Sequence, residues 1–220
     1  KPMTWLDTME DWRWMLGNWD RVLAAAQVSS GDRCFFAFSF GPFLGFWTAY
    51  EAATQRGCVC IPAGGQSTEH RLYGILNQQA EHLFCTPTYA MRLTSFAEES
   101  GIDLKEHGLK SIIVAGETGG SLPAVRDRIC SAWGNDIRIH DHYGMTEVGP
   151  VAYETPGGEG GLRVILDSYF AEVIDPQTLE SVKDGEQGEL VLTTLGRVGC
   201  PVFRYRTGDL VKGYAGLDEM

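Results

Sequence analysis

His142-Tyr143-Gly144-Met145-Thr146-Glu147 places an aromatic face, a flexible glycine, a hydroxyl and a carboxylate in one short run. Further along, Tyr205-Arg206-Thr207-Gly208-Asp209-Leu210 puts a carboxylate directly after a glycine turn. These groups suit a nucleotide. Tyr143 can stack on a base, Gly144 permits a tight turn, and Thr146 can donate its hydroxyl to a phosphate. Glu147 is a hard oxygen ligand of the kind that takes Mg²⁺ bridging phosphate oxygens, and Asp209 can accept from ribose hydroxyls. Taken singly, a buried tyrosine or a solvated turn carboxylate explains each residue better. The ordered pair of runs is what points to a nucleotide.

A third run, Gly116-Glu117-Thr118-Gly119-Gly120, would let a flat base or a phosphate approach backbone amides closely. Entry into a helix accounts for it about as well. His140 and His142 flank Asp141. Residues two apart share a face while a strand continues, which would allow a shared metal or acid–base site. The strand is expected to end near His140, however, and so to break that alignment. His142 is therefore read as a shaper of the pocket, His140 as structural, and Asp141 as a contact to the adenine or its ribose.

The elements that must position these runs alternate. Thr8 and Asp11 can cap a helix whose apolar residues Trp12, Met15, Leu16, Trp19, Val22, Leu23 and Ala26 recur at helical spacing. Both Trp12 and Trp19 read as core anchors. Strands are expected over residues 33–38, 58–62, 82–85, 111–115 and 136–140, with helices over 41–55, 67–79, 88–98 and 122–133 between them. This alternation predicts an α/β fold: a doubly wound, mostly parallel sheet with helices on both faces. Ligands in such sheets bind at the carboxyl ends of the strands, where the Gly116 and Tyr143 runs both fall. After Pro150 the pattern changes. Gly157, Gly158, Gly160 and Gly161 make a flexible segment, and strands over 170–174 and 189–194 surround the turn Lys183-Asp184-Gly185. The expected division is an α/β nucleotide-binding core over 1–150 and a small β-rich subdomain over 151–220 carrying Asp209.

YGMTE followed by YRTGDL resembles the adenylate-forming ligases: acyl-CoA synthetases, adenylation domains and luciferases. Phe40-Gly41-Pro42-Phe43, Cys85-Thr86-Pro87-Thr88-Tyr89, the segment Phe170 to Pro176, and Pro201 to Arg206 look like the phenylacetate–CoA ligase branch. The resemblance implies that a carboxylic acid, aryl or arylacetic, is activated by ATP as an acyl-adenylate and transferred to CoA. It implies ATP/AMP, Mg²⁺ and CoA as cofactors and co-substrates. Thr146 and Glu147 take the catalytic roles, with Glu147 on the metal. Gly116, Glu117, Thr118, Asp141, His142, Tyr143, Gly144, Met145 and Asp209 line the nucleotide. Phe40 and Phe43 would meet an aromatic acid or belong to the core, the latter being preferred.

Lys1-Pro2 is similar to the end of the family's phosphate loop, and the family continues past YRTGDL to a C-terminal lid domain with a catalytic lysine. The expectation is that these 220 residues lack both and do not catalyse adenylation alone. Two other readings stay open: adenylation of a cofactor hydroxyl, and a non-catalytic nucleotide-binding module of the same fold. The lack of GxGxxG after the first strand argues against a dehydrogenase.

Charge narrows the partners. The chain has 18 basic and 29 acidic residues, net −11, and no basic run. Such a surface repels nucleic acid and anionic membranes, so neither is an expected partner. No signal peptide or spanning apolar run is present, and a cytoplasmic location is expected. A homodimer is compatible with the sequence. The six cysteines have no zinc spacing and read as reduced thiols. None lies between Glu154 and Arg163, where some relatives of this branch carry a cysteine-held zinc.

Overall fold

The cap expected at the first helix forms reciprocally. Thr8 N and Oγ1 donate to Asp11 Oδ2 at 2.7 and 2.8 Å, and Asp11 N donates back to Thr8 Oγ1 at 3.1 Å. Two otherwise unpaired donors at the helix start are thereby satisfied, and α1 runs over Met9–Ala25. The computed structural model describes residues 4–105, 107–156 and 161–213. Lys1-Pro2 and the glycines 157, 158 and 160 lie outside them.

Strand and helix then alternate as β1 (Arg33–Phe36), α2 (Leu44–Gln55), β2 (Val59–Pro62), α3 (Thr68–Asn77), β3 (His82–Cys85), α4 (Pro87–Glu99), β4 (Ser111–Val114), α5 (Pro123–Trp133) and β5 (Arg138–Met145). β6 (Gly149–Glu154) and β7 (Leu162–Val164) follow, then β8 (Tyr169–Ile174), β9 (Gln187–Thr194) and β10 (Tyr205–Lys212). The large sheet has the order β2-β1-β3-β4-β5-β6-β7. Pairing is parallel from β2 through β5 and antiparallel between β5 and β6. This is the expected α/β, mostly parallel architecture.

Burial shows why β1, β3 and β4 read as continuous apolar runs: they are covered on both faces. On one face Phe35, Leu83, Ile112 and Ile139 pack with Leu72 and Ile75 of α3, Leu93 of α4, and Ile129 and Trp133 of α5. On the other, the Phe36 ring meets Tyr50 of α2 at 5.2 Å, and His142 meets Trp19 of α1 at 4.3 Å.

Two of the boundaries that differ from expectation bear on the site. The second helix starts at Leu44 rather than Gly41, because Phe40 and Gly41 both take left-handed backbone (φ 53° and 45°) and cannot lie in a right-handed helix. More consequentially, β5 does not end at His140. It continues to Met145, held by pairing of His142 with Tyr153 and Tyr143 with Ala152 on β6, with a bulge between Tyr143 and Gly144. His140 and His142 therefore do share a face. β6 also carries the large sheet past Pro150.

The chain divides into two compact units, Met15–Arg163 and a second made of Lys1–Trp14 with Val164–Met220. In the second, β8, β9 and β10 form an antiparallel sheet. Buried Asp11 accepts from Val198 N at 2.5 Å and Gly199 N at 3.1 Å, and the Arg197 guanidinium grips the Asp7 carboxylate at 2.7 and 2.9 Å. Among the described residues no helix is long and apolar enough to cross a membrane.

Candidate nucleotide-binding site

The β5–β6 hairpin presents the YGMTE run. Tyr143, Gly144 and Met145 are half-buried strand residues; exposed Thr146 and half-buried Glu147 form the turn, closed by Val148 N donating to Met145 O. Gly144 is required by the closeness of the two strands. A Cβ there would lie 2.7 Å from Gly149 O and 3.1 Å from Pro150 Cα, and real side chains cannot approach backbone that closely.

The Gly116 run joins β4 to α5, so it lies at the carboxyl end of the neighbouring strand. Gly116, Glu117 and Thr118 are exposed there. Glu117 also serves the fold: its carboxylate accepts from Thr88 N at 2.7 Å and from the Thr88 hydroxyl, at the positive start of α4. Partial burial alone would raise the Glu117 pKa, but the Thr88 and Thr86 hydrogen bonds outweigh it and the net shift is downward.

Asp141 connects the two loops from below. Its carboxylate takes the Ser121 hydroxyl at 2.5 Å and its own neighbour's amide, His142 N, at 2.9 Å. Burial raises its pKa against these hydrogen bonds. Asp141 fits so closely under Gly120 that a Cβ on that glycine would stand 2.4 Å from Asp141 Cγ and 2.7 Å from Val114 Cγ2. Gly120→Ala is accordingly expected to cost about 3 kcal/mol, the upper part of the overpacking range, measurable as a shift in denaturant midpoint with unchanged slope.

His142 faces the core rather than the loops. It is buried and stacked on Trp19 at an interplanar angle of 29°. Burial drives its pKa down to about 3, so the ring is neutral. His140 on the same face is also buried and pushed to about 4. Neither ring nitrogen of either histidine has a hydrogen-bond partner among the described residues.

Asp209 sits in the second unit, at an irregularity in β10. Pairing with β9 jumps from Arg206–Val191 to Leu210–Glu189, leaving Thr207, Gly208 and Asp209 out of the ladder. Thr207 Oγ1 anchors this bulge by donating to Leu190 O at 2.8 Å, Gly208 N donates to Glu189 Oε1 at 3.1 Å, and Asp209 is left exposed. Bulges commonly re-aim a side chain in this way.

Residues 11–196 match the AMP-binding enzyme family. The chain belongs to that family. It is 34% identical over 194 residues to the phenylacetate-coenzyme A ligase of Aromatoleum evansii, covering 87% of this chain and 43% of that protein. To the phenylacetate-coenzyme A ligase of Pseudomonas putida it is 33% identical over 205 residues, covering 90% and 45%. The chain thus spans less than half the length of these relatives. A crystal structure of 2-hydroxyisobutyryl-CoA ligase in complex with 2-HIB-AMP and CoA superposes with a TM-score of 0.89 at 26% identity, over 96% of this chain and 45% of that one.

Within this AMP-binding domain two polar clusters escaped sequence reasoning. Ser111 Oγ lies 2.8 Å from His82 Nδ1, and His82 Nε2 lies 3.0 Å from Asp32 Oδ2, with Lys110 Nζ 3.1 Å from Asp32 Oδ1. The Ser–His–Asp order invites a nucleophilic reading, but Ser111 and His82 are fully buried and no substrate reaches them. They lie at the amino ends of β1, β3 and β4 and tie those strands together. The second cluster is Arg71, buried on the inner face of α3 beside Leu72 and Ile75. A lone arginine among the inward-facing residues of an amphipathic helix is the signal that could have found it. A cavity of about 430 Å³ opens at the amino end of β5, lined by Gln27, Arg126, Arg138, His140 and Glu154 among others; none of the predicted nucleotide residues lines it.

Proposed function

We propose that the full-length enzyme condenses a carboxylic acid with ATP to an acyl-adenylate and then transfers the acyl group to CoA, with aryl or arylacetic acids as the substrate class. The observation that carries the reading is the β5–β6 hairpin, which offers an exposed threonine hydroxyl and a carboxylate at the carboxyl end of a parallel sheet, where such folds bind ligands. Relatives named as phenylacetate-coenzyme A ligases support the substrate class.

In the first half-reaction a carboxylate oxygen attacks the α-phosphorus and pyrophosphate leaves. In the second a thiol sulfur attacks the acyl carbonyl and AMP leaves. Tyr143 and the Gly116 run hold the adenine, Thr146 donates to the α-phosphate, and Asp209 accepts from the ribose. Asp141 and His142 act as supports, one fixing the Gly120 turn to β5 and the other locking β5 against α1. Glu147 would hold Mg²⁺, which when bound offsets phosphate charge. The donor set fits that ion. Mg²⁺ needs one or two carboxylates plus phosphate and water, and half-buried Glu147 in the β5–β6 turn offers one such carboxylate.

Acid-dependent ATP–pyrophosphate exchange by the full-length enzyme, across a panel of aryl and alkyl acids, tests this. Exchange supported by aryl acids is the expected result. Absence of exchange with every acid, in a protein that still binds nucleotide, would sink the acid-ligase reading.

A further inference from the structure

The carboxyl ends of β2, β1 and β3 are gathered by one side chain. From the first turn of α3, Arg71 donates Nε to Ala63 O after β2 at 2.9 Å, and its two terminal nitrogens to Ala37 O at 3.2 Å and Phe38 O at 3.3 Å after β1. Its guanidinium also lies 4.9 Å from the ring centre of Tyr89, in the first turn of α4 after β3. Among the described residues no carboxylate pairs with it. Burying an arginine without a counter-ion is costly, and only the planar fork of donors reaches three separate carbonyls at once.

What those carbonyls hold in place is an aromatic wall. Phe38, whose carbonyl Arg71 binds, stacks flat on Phe46 at 4.0 Å with an interplanar angle of 8°. Phe46 in turn approaches the candidate nucleotide loop: a Cβ built on Gly116 would lie 3.9 Å from its ring and 3.8 Å from Thr86 Cγ2. The left-handed bend at Phe40 turns the chain between the two rings, and buried Phe40 packs on Trp47 at 4.8 Å and Tyr50 at 5.7 Å. Left-handed backbone at a bulky residue persists only where its surroundings enforce it. Beyond the stack, Phe43 (54% exposed) and Trp47 (46%) continue an apolar surface at this end of the sheet.

We propose that Arg71 is a positioning residue that sets acid selectivity by fixing the Phe38–Phe46 stack against the Gly116 loop, so that the Phe46 ring limits the bulk of the acid accepted there. This rests on the acid-ligase reading above. Arg71 acts through backbone carbonyls and touches no reacting atom. Phe46 supplies the steric limit.

The test is ATP–pyrophosphate exchange by the full-length enzyme with phenylacetate, ring-substituted phenylacetates and propionate, comparing wild type, Phe46→Ala and Arg71→Lys. Phe46→Ala is expected to improve ring-substituted acids over phenylacetate by about tenfold, the scale of discrimination by one apolar pocket group, with the KM for ATP unchanged. Arg71→Lys keeps the charge and loses the fork. It is expected to raise the KM for phenylacetate about tenfold through misplacement of the wall, again with the KM for ATP unmoved. A merely structural arginine would lower all rates together and leave acid ratios alone. Should Arg71→Lys not fold, Phe46→Ala still decides the steric claim. Wild-type exchange with unaltered acid ratios in the folded variants overturns this inference and spares the acid-ligase reading. No exchange by wild type with any acid overturns both.

Discussion

Glu147→Ala in the full-length enzyme should lower adenylation roughly 100-fold or more, the usual consequence of removing one preorganised charge-stabilising group. Glu147 sits in the two-strand turn beyond Met145, half-buried, so truncating it removes a carboxylate without opening a hole in the core. The loss should therefore appear in kcat and in the dependence of rate on Mg²⁺ concentration, and little in thermal stability. The comparison to make is exchange rate against Mg²⁺ for the two proteins, alongside their melting curves. A variant with near wild-type exchange at every Mg²⁺ concentration would take Glu147 out of the metal role.

Acid should weaken the fold well before ordinary carboxylates titrate. Burial holds His142 at about 3 and His140 at about 4, against 6.5 for an open chain. Burial lowers His82 too, against the opposing Asp32 hydrogen bond. The folded state thus keeps these rings neutral while the unfolded chain binds protons below about pH 6.5. Stability is level above pH 7 and falls as pH drops through 6.5 towards 4. By pH 4.5 each of His140 and His142 should have cost about 2.5 kcal/mol. The lowered carboxyls of Asp32 and Glu81 add their loss only lower down, as pH falls through the carboxylate range. Denaturant midpoints between pH 7.5 and 4.5 measure the slope. His142→Phe preserves a ring against Trp19 and removes one proton site, so it should flatten the curve by about a third to a half; an unchanged slope would show that His142 does not carry this linkage.

How far the sequence disclosed all this depends on the range of the interactions involved. The strand His82–Cys85 and the Thr8–Asp11 cap were readable because apolar period and capping chemistry are local. The continuation of β5 was not, because Gly144, Thr146 and Glu147 read as loop residues and only pairing with β6 makes a strand of them. The same misreading separated His140 from His142, which in the fold share a core face. Glu117 illustrates a second limit: its position in a glycine run suggested a ligand, whereas its bond to Thr88, distant in sequence, could be seen only in three dimensions. Asp141 is similar, since nothing local says that Gly120 is shaped around it. Arg71 was hidden for the opposite reason, in that a charged residue in a helix is by default assigned to the surface.

The Ser111–His82–Asp32 cluster lies at one end of the parallel strands, and the Gly116 run, Phe46 and the β5–β6 hairpin lie at the other. Strand order is therefore secured by groups that no substrate-facing change needs to disturb. A lineage under selection for new acids could vary the exposed positions of the segment from Ala37 to Trp47, Phe43 among them, while inheriting the amino-terminal clamp intact. Recombining that segment between homologues should yield folded progeny far more often than recombining across the amino-terminal clamp, and the variation that distinguishes one such enzyme from another should accumulate at a single rim of the sheet.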